Sequence, residues 1–193
     1  PKDGNNDPLY TVPEHPHAYV SGNVYGGGSL AIVNGNTEVN MLHDEAVVAG
    51  DIFGAGLGIE KDVDTAKVTG NTRVNMVTGW AKGNIFGGGN KAAVDGNTFV
   101  VVSGGTVGRR LNFRERYVTD RSLHDEVNTG DVYGGGEGTA TTAGKHELLG
   151  RVYGNTNVTV NGNAVVRHNV YGGGRMASVG NFTFKSDGTI NEW

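Results

Sequence analysis

The sequence has no cysteine, and after Pro16 it has no proline. Without cysteine there is no disulfide framework, no thiolate ligand and no thiol nucleophile. The proline distribution says more. Pro1, Pro8, Pro13 and Pro16 crowd the opening "PKDGNNDPLYTVPEHPHAYV", and every later residue keeps a backbone N–H that a sheet ladder can use. Residues 1–20 therefore read as a linker or N-terminal extension, and residues 21–193 as one repeat domain. Long hydrophobic runs are missing too. No stretch nears the roughly 18 apolar residues of a spanning helix, so no membrane span is expected. Positive charge is not in surplus either: a formal net charge of -4 offers no basic stripe to phosphates, which excludes nucleic acid as a partner. No signal peptide is seen, and a start at Pro1 without Met reads as a segment of something longer.

Glycine is what the chain has in excess, 34 residues of 193. The glycines do not fall at every third position, which rules out collagen, and apolar residues keep fixed offsets from them, which argues against a flexible linker. Five heptads carry the pattern: "GNVYGGG" from Gly22, "GDIFGAG" from Gly50, "GNIFGGG" from Gly83, "GDVYGGG" from Gly130 and "HNVYGGG" from His168. Their starts are 28, 33, 47 and 38 residues apart. A second motif follows each one: "GNTEVNM" from Gly35, "GNTRVNM" from Gly70, "GNTFVVV" from Gly96, "GNTNVTV" from Gly154 and a degenerate "GNFTFKS" from Gly180. The shortest spacings define a basal unit of about 27 residues, with insertions near 57–68, 105–129 and 137–149.

The second motif alternates with period two. Thr37, Val39 and Met41 share one face and Glu38 and Asn40 the other, as in a half-buried strand. Apolar pairs at 47–48, 106–107 and 165–166 supply a further short strand. β-branched residues and frequent glycine disfavour helix throughout. Short strands, glycine turns and a unit too short for a propeller blade predict an all-β fold, a parallel β-helix of about five coils. Equivalent residues then stack at about 4.8 Å. Two ladders of amides and carboxylates are expected: Asn23, Asp51, Asn84, Asp131 and Asn169, and Asn36, Asn71, Asn97, Asn155 and Asn181, with side-chain amides bonding along the stack. Glu38 and Arg73 would face each other across adjacent strands. An aromatic ladder of Tyr25, Phe53, Phe86, Tyr133 and Tyr171 alternates with Val24, Ile52, Ile85, Val132 and Val170. Two orientations are open for it: an outward strip for sugars or a partner, or packing in the core.

The heptads and "GNTxVxV" motifs resemble the glycine-rich repeats of large secreted or surface proteins of Gram-negative gut bacteria. More broadly they resemble the right-handed parallel β-helix group of autotransporter adhesins and polysaccharide lyases. The likeness spans about residues 20–185. It implies an extracellular or cell-surface location and a role as stalk, adhesin or glycan-facing module. In the lyases of that group the groove runs along a sheet beside long loops, with Lys or Arg as base and acidic residues holding calcium.

Chemistry-bearing motifs are few. "GAGLGIE" at 54–60 lacks the last glycine of a dinucleotide fingerprint, and "GK" at 144–145 lacks the rest of a P-loop. The calcium-binding nonapeptide needs an aspartate soon after its glycines, and "GGGNKAAV" and "GGGRMASV" do not supply one. Neither a cofactor nor a metal is expected, and no catalytic constellation is present. "LHDE" at 42–45 and 123–126 reads as turn chemistry, with a metal or acid/base site as the alternative; "KHE" at 145–147 adds little to that alternative. The insertion "RRLNFRERYVTDR" interleaves Arg109, Arg110, Arg114, Arg116 and Arg121 with Phe113 and Tyr117, a composition suited to an acidic glycan, or else a solvated loop. Threonine rows on the inward face speak against ice binding. The leading reading is a structural or adhesive surface module; the alternative is a glycan-binding or lyase-like β-helix acting through that insertion. The open sheet edge at the last unit calls for a neighbouring domain or another copy.

Overall fold

A computed structural model describes residues 18–62, 64–109, 130–139, 148–183, 185 and 191. These form a parallel β-helix. The first sheet gathers β1 (Tyr19–Val20), β4 (Val47–Val48), β7 (Trp80–Ala81), β10 (Thr106–Val107) and β13 (Val165–Val166). The second gathers β2 (Val24–Tyr25), β5 (Ile52–Phe53), β8 (Ile85–Phe86), β11 (Val132–Tyr133) and β14 (Val170–Tyr171). The third holds the longest strands, β3 (Thr37–Met41), β6 (Thr72–Met76), β9 (Thr98–Val102) and β12 (Thr156–Val160). Each strand pairs with its equivalent one coil away, so five coils stack in sequence order.

Register follows residue type. Thr37, Thr72, Thr98 and Thr156 form one rung series, and Val39, Val74, Val100 and Val158 another. Single bridges join Val33, Val68, Val94, Val152 and Val179 into a further row. Plain coils have the predicted length: Val47 stands above Tyr19 after 28 residues, and Thr106 above Trp80 after 26. The sheet starts at Tyr19, inside the stretch read from sequence as an extension. At the other end the degenerate "GNFTFKS" forms no strand among the described residues. The buried Arg151 bonds the carbonyls of Gly180 and Phe182 there, and its guanidinium lies 3.7 Å from the centre of the Phe182 ring.

The aliphatic core runs up the middle, through Ile52, Ile85 and Val132 of the second sheet and Val74, Met76, Val100 and Val102 of the third. Opposite the second sheet's aliphatic residues stands a separate aromatic column. Tyr25, Phe53, Phe86, Tyr133 and Tyr171 stack face over face, with centroids 4.7–5.1 Å apart and planes within 9°. Phe53 and Phe86 are fully buried. The column therefore packs, although it points away from the β-branched set.

The glycines of the heptad are explained by close approach. A Cβ on Gly54 would strike the carbonyl oxygen of Gly87 in the next coil, and one on Gly87 would strike that of Gly134. The same carbonyls accept a hydrogen bond from inside. Thr37 Oγ1 donates to Gly54 O, Thr72 Oγ1 to Gly87 O, Thr98 Oγ1 to Gly134 O and Thr156 Oγ1 to Gly172 O, each at 2.5 Å. Heptad and strand motif thus form one device, in which threonine satisfies a buried carbonyl that the glycine corner leaves turned inward.

Candidate functional site

The third sheet turns to solvent the positions at which its motif varies. Inward Thr, Val and Met or Val alternate with outward residues. Glu38, Arg73, Phe99 and Asn157 form one outward row, and Asn40, Asn75, Val101 and Thr159 the next. Parallel pairing sets these side chains about 4.8 Å apart along each row. Stacking therefore places a carboxylate, a guanidinium and a ring side by side, although they are remote in sequence.

The Arg73 guanidinium lies 5.1 Å from the centre of the Phe99 ring. Glu38 shares a rung with Arg73, but the expected ion pair does not form among the described residues. An exposed pair is worth only about 0–1 kcal/mol in water, and the ring face holds the cation instead. Both charges are thereby left open to a ligand. Around them is a shallow hollow of about 360 Å³, bounded by Asn36, Asn71, Glu38, Arg73 and Phe99.

The amides at its rim have only one side available. Asn36 Oδ1 accepts from Asn71 N–H at 2.8 Å, and Asn71 Oδ1 from Asn97 N–H at 2.8 Å. The side-chain amides thus bond along the stack, through side-chain oxygen and the next coil's backbone N–H. Each Nδ2 on this rim makes no bond among the described residues and remains a donor. The hollow offers donors from arginine and two amides, one carboxylate acceptor and one aromatic face.

The other amide ladder works in the same way. Asn23 Oδ1 accepts from Asp51 N–H at 2.8 Å, Asp51 Oδ1 from Asn84 N–H at 2.6 Å, and Asn84 Oδ1 from Asp131 N–H at 3.0 Å. The backbone N–H groups take the side-chain oxygen, which Asp supplies as well as Asn; Asn84 Nδ2 adds a bond to Asp51 Oδ1 at 3.2 Å and Asn23 Nδ2 one to the Tyr25 hydroxyl at 3.1 Å. Asp131 is saturated: Tyr133 O–H donates to Oδ2 at 3.0 Å, Asn169 N–H to Oδ1 at 2.8 Å, and His168 Nδ1 lies 2.5 Å from Oδ1. Burial, helped by the Asp131 charge, pushes the Tyr133 hydroxyl far above its ordinary value. It stays protonated, so this cluster supplies no phenolate base. Glu137 accepts from Asn90 Nδ2 at 2.9 Å and Arg175 Nη1 at 3.3 Å, and burial raises its carboxyl.

Of the arginine-rich insertion, Arg109 is exposed at the end of the turn after β10. Burial lowers the Lys82 ammonium's pKa and the Arg109 charge lowers it further. Arg110, Phe113, Arg114, Arg116, Tyr117 and Arg121 lie outside the described residues, as do the second "LHDE" and "KHE". The first "LHDE" is an exposed turn between β3 and β4, where Glu45 N–H donates to His43 Nδ1 at 3.2 Å. Among the described residues no three His, Asp or Glu side chains converge to hold a metal. No described helix is long and apolar enough to cross a membrane.

Sequence reasoning had Glu38 and Arg73 in register but missed the Arg73–Phe99 contact and the amide rim. The signal was present in the "x" of "GNTxVxV": where stacking keeps most positions alike, the outward positions that differ are free to serve a ligand. No protein-family model matches this chain, and no curated protein and no solved structure is significantly similar to it.

Proposed function

We propose that the chain is an extracellular, cell-surface β-helix module of structural and adhesive type, which holds an acidic glycan on the outer face of its third sheet. The observation that carries this reading is the hollow in which Arg73, laid over Phe99, stands beside free amide donors and the unpaired Glu38. A carboxylate or sulfate of a sugar pairs bidentately with a guanidinium. Aromatic faces take the apolar faces of sugar rings, and amide donors take hydroxyls. A shallow site on a rigid sheet suits a long polymer held at many points, each of them weak. The Arg-rich insertion has the same chemistry and is the alternative seat of binding.

Titration calorimetry with oligosaccharides of uronic acid tests the proposal. Arg73→Ala and Phe99→Ala should each lower affinity about tenfold, equivalent to about 1.4 kcal/mol, while Thr159→Ala leaves it unchanged. Parent-like binding by both variants would refute the sheet as the site. Loss of binding in an Arg114→Ala, Arg116→Ala variant instead would move the site to the insertion. Appearance of unsaturated, ultraviolet-absorbing products would replace adhesion with lyase chemistry.

A further inference from the structure

The two ends of the solenoid are complementary to each other. At the first coil Tyr19, Leu30 and Ile32 are 47%, 58% and 59% exposed; at the last, Val170, Tyr171 and Met176 are 48%, 43% and 48% exposed. The equivalents of Val170 and Tyr171 in the middle are covered, with Ile85 and Phe86 at 0%. Edge strands of monomeric proteins are commonly protected by charge. Here the first coil carries no charged residue from Ala18 to Asn36.

The glycines supply an independent observation. In the second, third and fourth coils the first glycine after the aromatic residue meets the carbonyl of the coil above, as Gly134 meets that of Gly172. Gly172 and Gly173 have no atom within 4 Å of a built Cβ. At the opposite end Gly50 abuts the coil below, whereas Gly22 again meets nothing. A glycine in extended chain costs roughly 0.5–1 kcal/mol relative to alanine. Three such positions, Gly22, Gly172 and Gly173, open at the two ends and on the outward side of each, are shaped for a further coil. The ladder atoms agree. Asn169 Oδ1 accepts no bond among the described residues, although its equivalents in the coils below each receive a backbone N–H.

We propose that this chain assembles head to tail with a second copy of itself, β1 and β2 of one copy adding to β13 and β14 of the other. Tyr25 then stacks on Tyr171, Val24 follows Val170, and Asn23 N–H bonds Asn169 Oδ1, which continues each row with its own residue type. A coil needs 26 to 28 residues here. Neither residues 1–17 nor residues 186–193 contain the heptad or the strand motif. The third sheet ends one rung earlier, at β12, and lies outside the joint. Because the contact is heterologous and its translation does not close, the assembly is an open filament.

The chain has no cysteine, so a Tyr19→Cys, Val165→Cys double variant tests the geometry without background. Within one copy these positions are four rungs apart, about 19 Å, beyond a short bis-maleimide. Between stacked copies they are adjacent. The double variant should give a ladder of covalent dimers, trimers and larger species, and neither single variant should give products. No ladder, or dimers from either single variant, overturns the proposal. A second measurement guards against misfolding: Gly173→Leu should unfold at the parent's denaturant midpoint in dilute solution while abolishing the multimers that the parent forms in sedimentation velocity at high concentration. Multimers that persist in Gly173→Leu, or a parent that stays monomeric, overturn it equally.

Discussion

The third coil and the fifth carry nearly the same heptad, "GNIFGGG" and "HNVYGGG", yet the physical demand on each is different. In the third, Phe86 is fully buried between two rings and Gly87 lies against the carbonyl of the next coil. In the fifth, Tyr171 is 43% exposed with a ring on one side, and Gly172 meets nothing. The same residues therefore do different amounts of work. A solenoid repeat is stabilised by its neighbours, and the interior repeats have two while each end has one.

The most direct way to break the comparison is to add one methyl group at each place. Gly87→Ala sets a Cβ against the backbone carbonyl of Gly134 and against Thr98 and Val100, none of which can swing away. It should cost more than about 3 kcal/mol in guanidinium unfolding, against less than about 0.5 kcal/mol for Gly172→Ala in dilute solution. Equal losses would show that the glycine is kept for conformation and not for approach. Next in size is the threonine bond. Thr98→Val leaves a buried carbonyl without its donor and should cost about 1–3 kcal/mol, whereas Thr156→Val, whose bond to Gly172 O is exposed, should cost under about 1 kcal/mol.

The smallest effect sharpens the ladder comparison. Burial raises the Asp51 carboxyl above its ordinary value, and the bond from Asn84 N–H opposes that shift without cancelling it. A carboxyl raised on folding favours the folded state below its unfolded value, about 4, and loses that advantage as pH climbs through the raised value. Asp51→Asn keeps the Oδ1 acceptor that Asn23 and Asn84 use at the same position. The variant should be more stable than the parent at neutral pH, with the difference shrinking as pH falls toward 4. A variant that is less stable at pH 7 would show that the charge itself supports the corner.

Much of the architecture was legible because stacking writes itself into sequence. Thr37, Thr72, Thr98 and Thr156 recur at the same place in their motifs since each sits directly over the last. Two strands escaped notice. Tyr19–Val20 lies in proline-rich sequence, and Trp80–Ala81 lacks the β-branched pair that marks β4 and β13. Both are set by the neighbouring rung, which supplies hydrogen bonds whatever the side chains are. The site was legible only in part. Glu38 and Arg73 were placed on one rung, but the choice of Arg73 between carboxylate and ring depends on rotamers and on Phe99 in the coil beyond.

What the sequence by itself determined is the fold and its register. A repeat of apolar, amide and glycine positions can bury its faces and pair its backbone only by laying each unit on the next, so periodicity implies the stack. What only the tertiary structure decided is how that stack is used. The aromatic column could face either way on the alternation rule alone, and closure of the coil buried it. The amide rows could bond to each other or to backbone, and side-chain oxygens 2.6–3.0 Å from the next coil's N–H groups make backbone the shared partner, with the Asn84–Asp51 side-chain bond of 3.2 Å beside it. These choices depend on distances between coils, which a one-dimensional pattern does not contain.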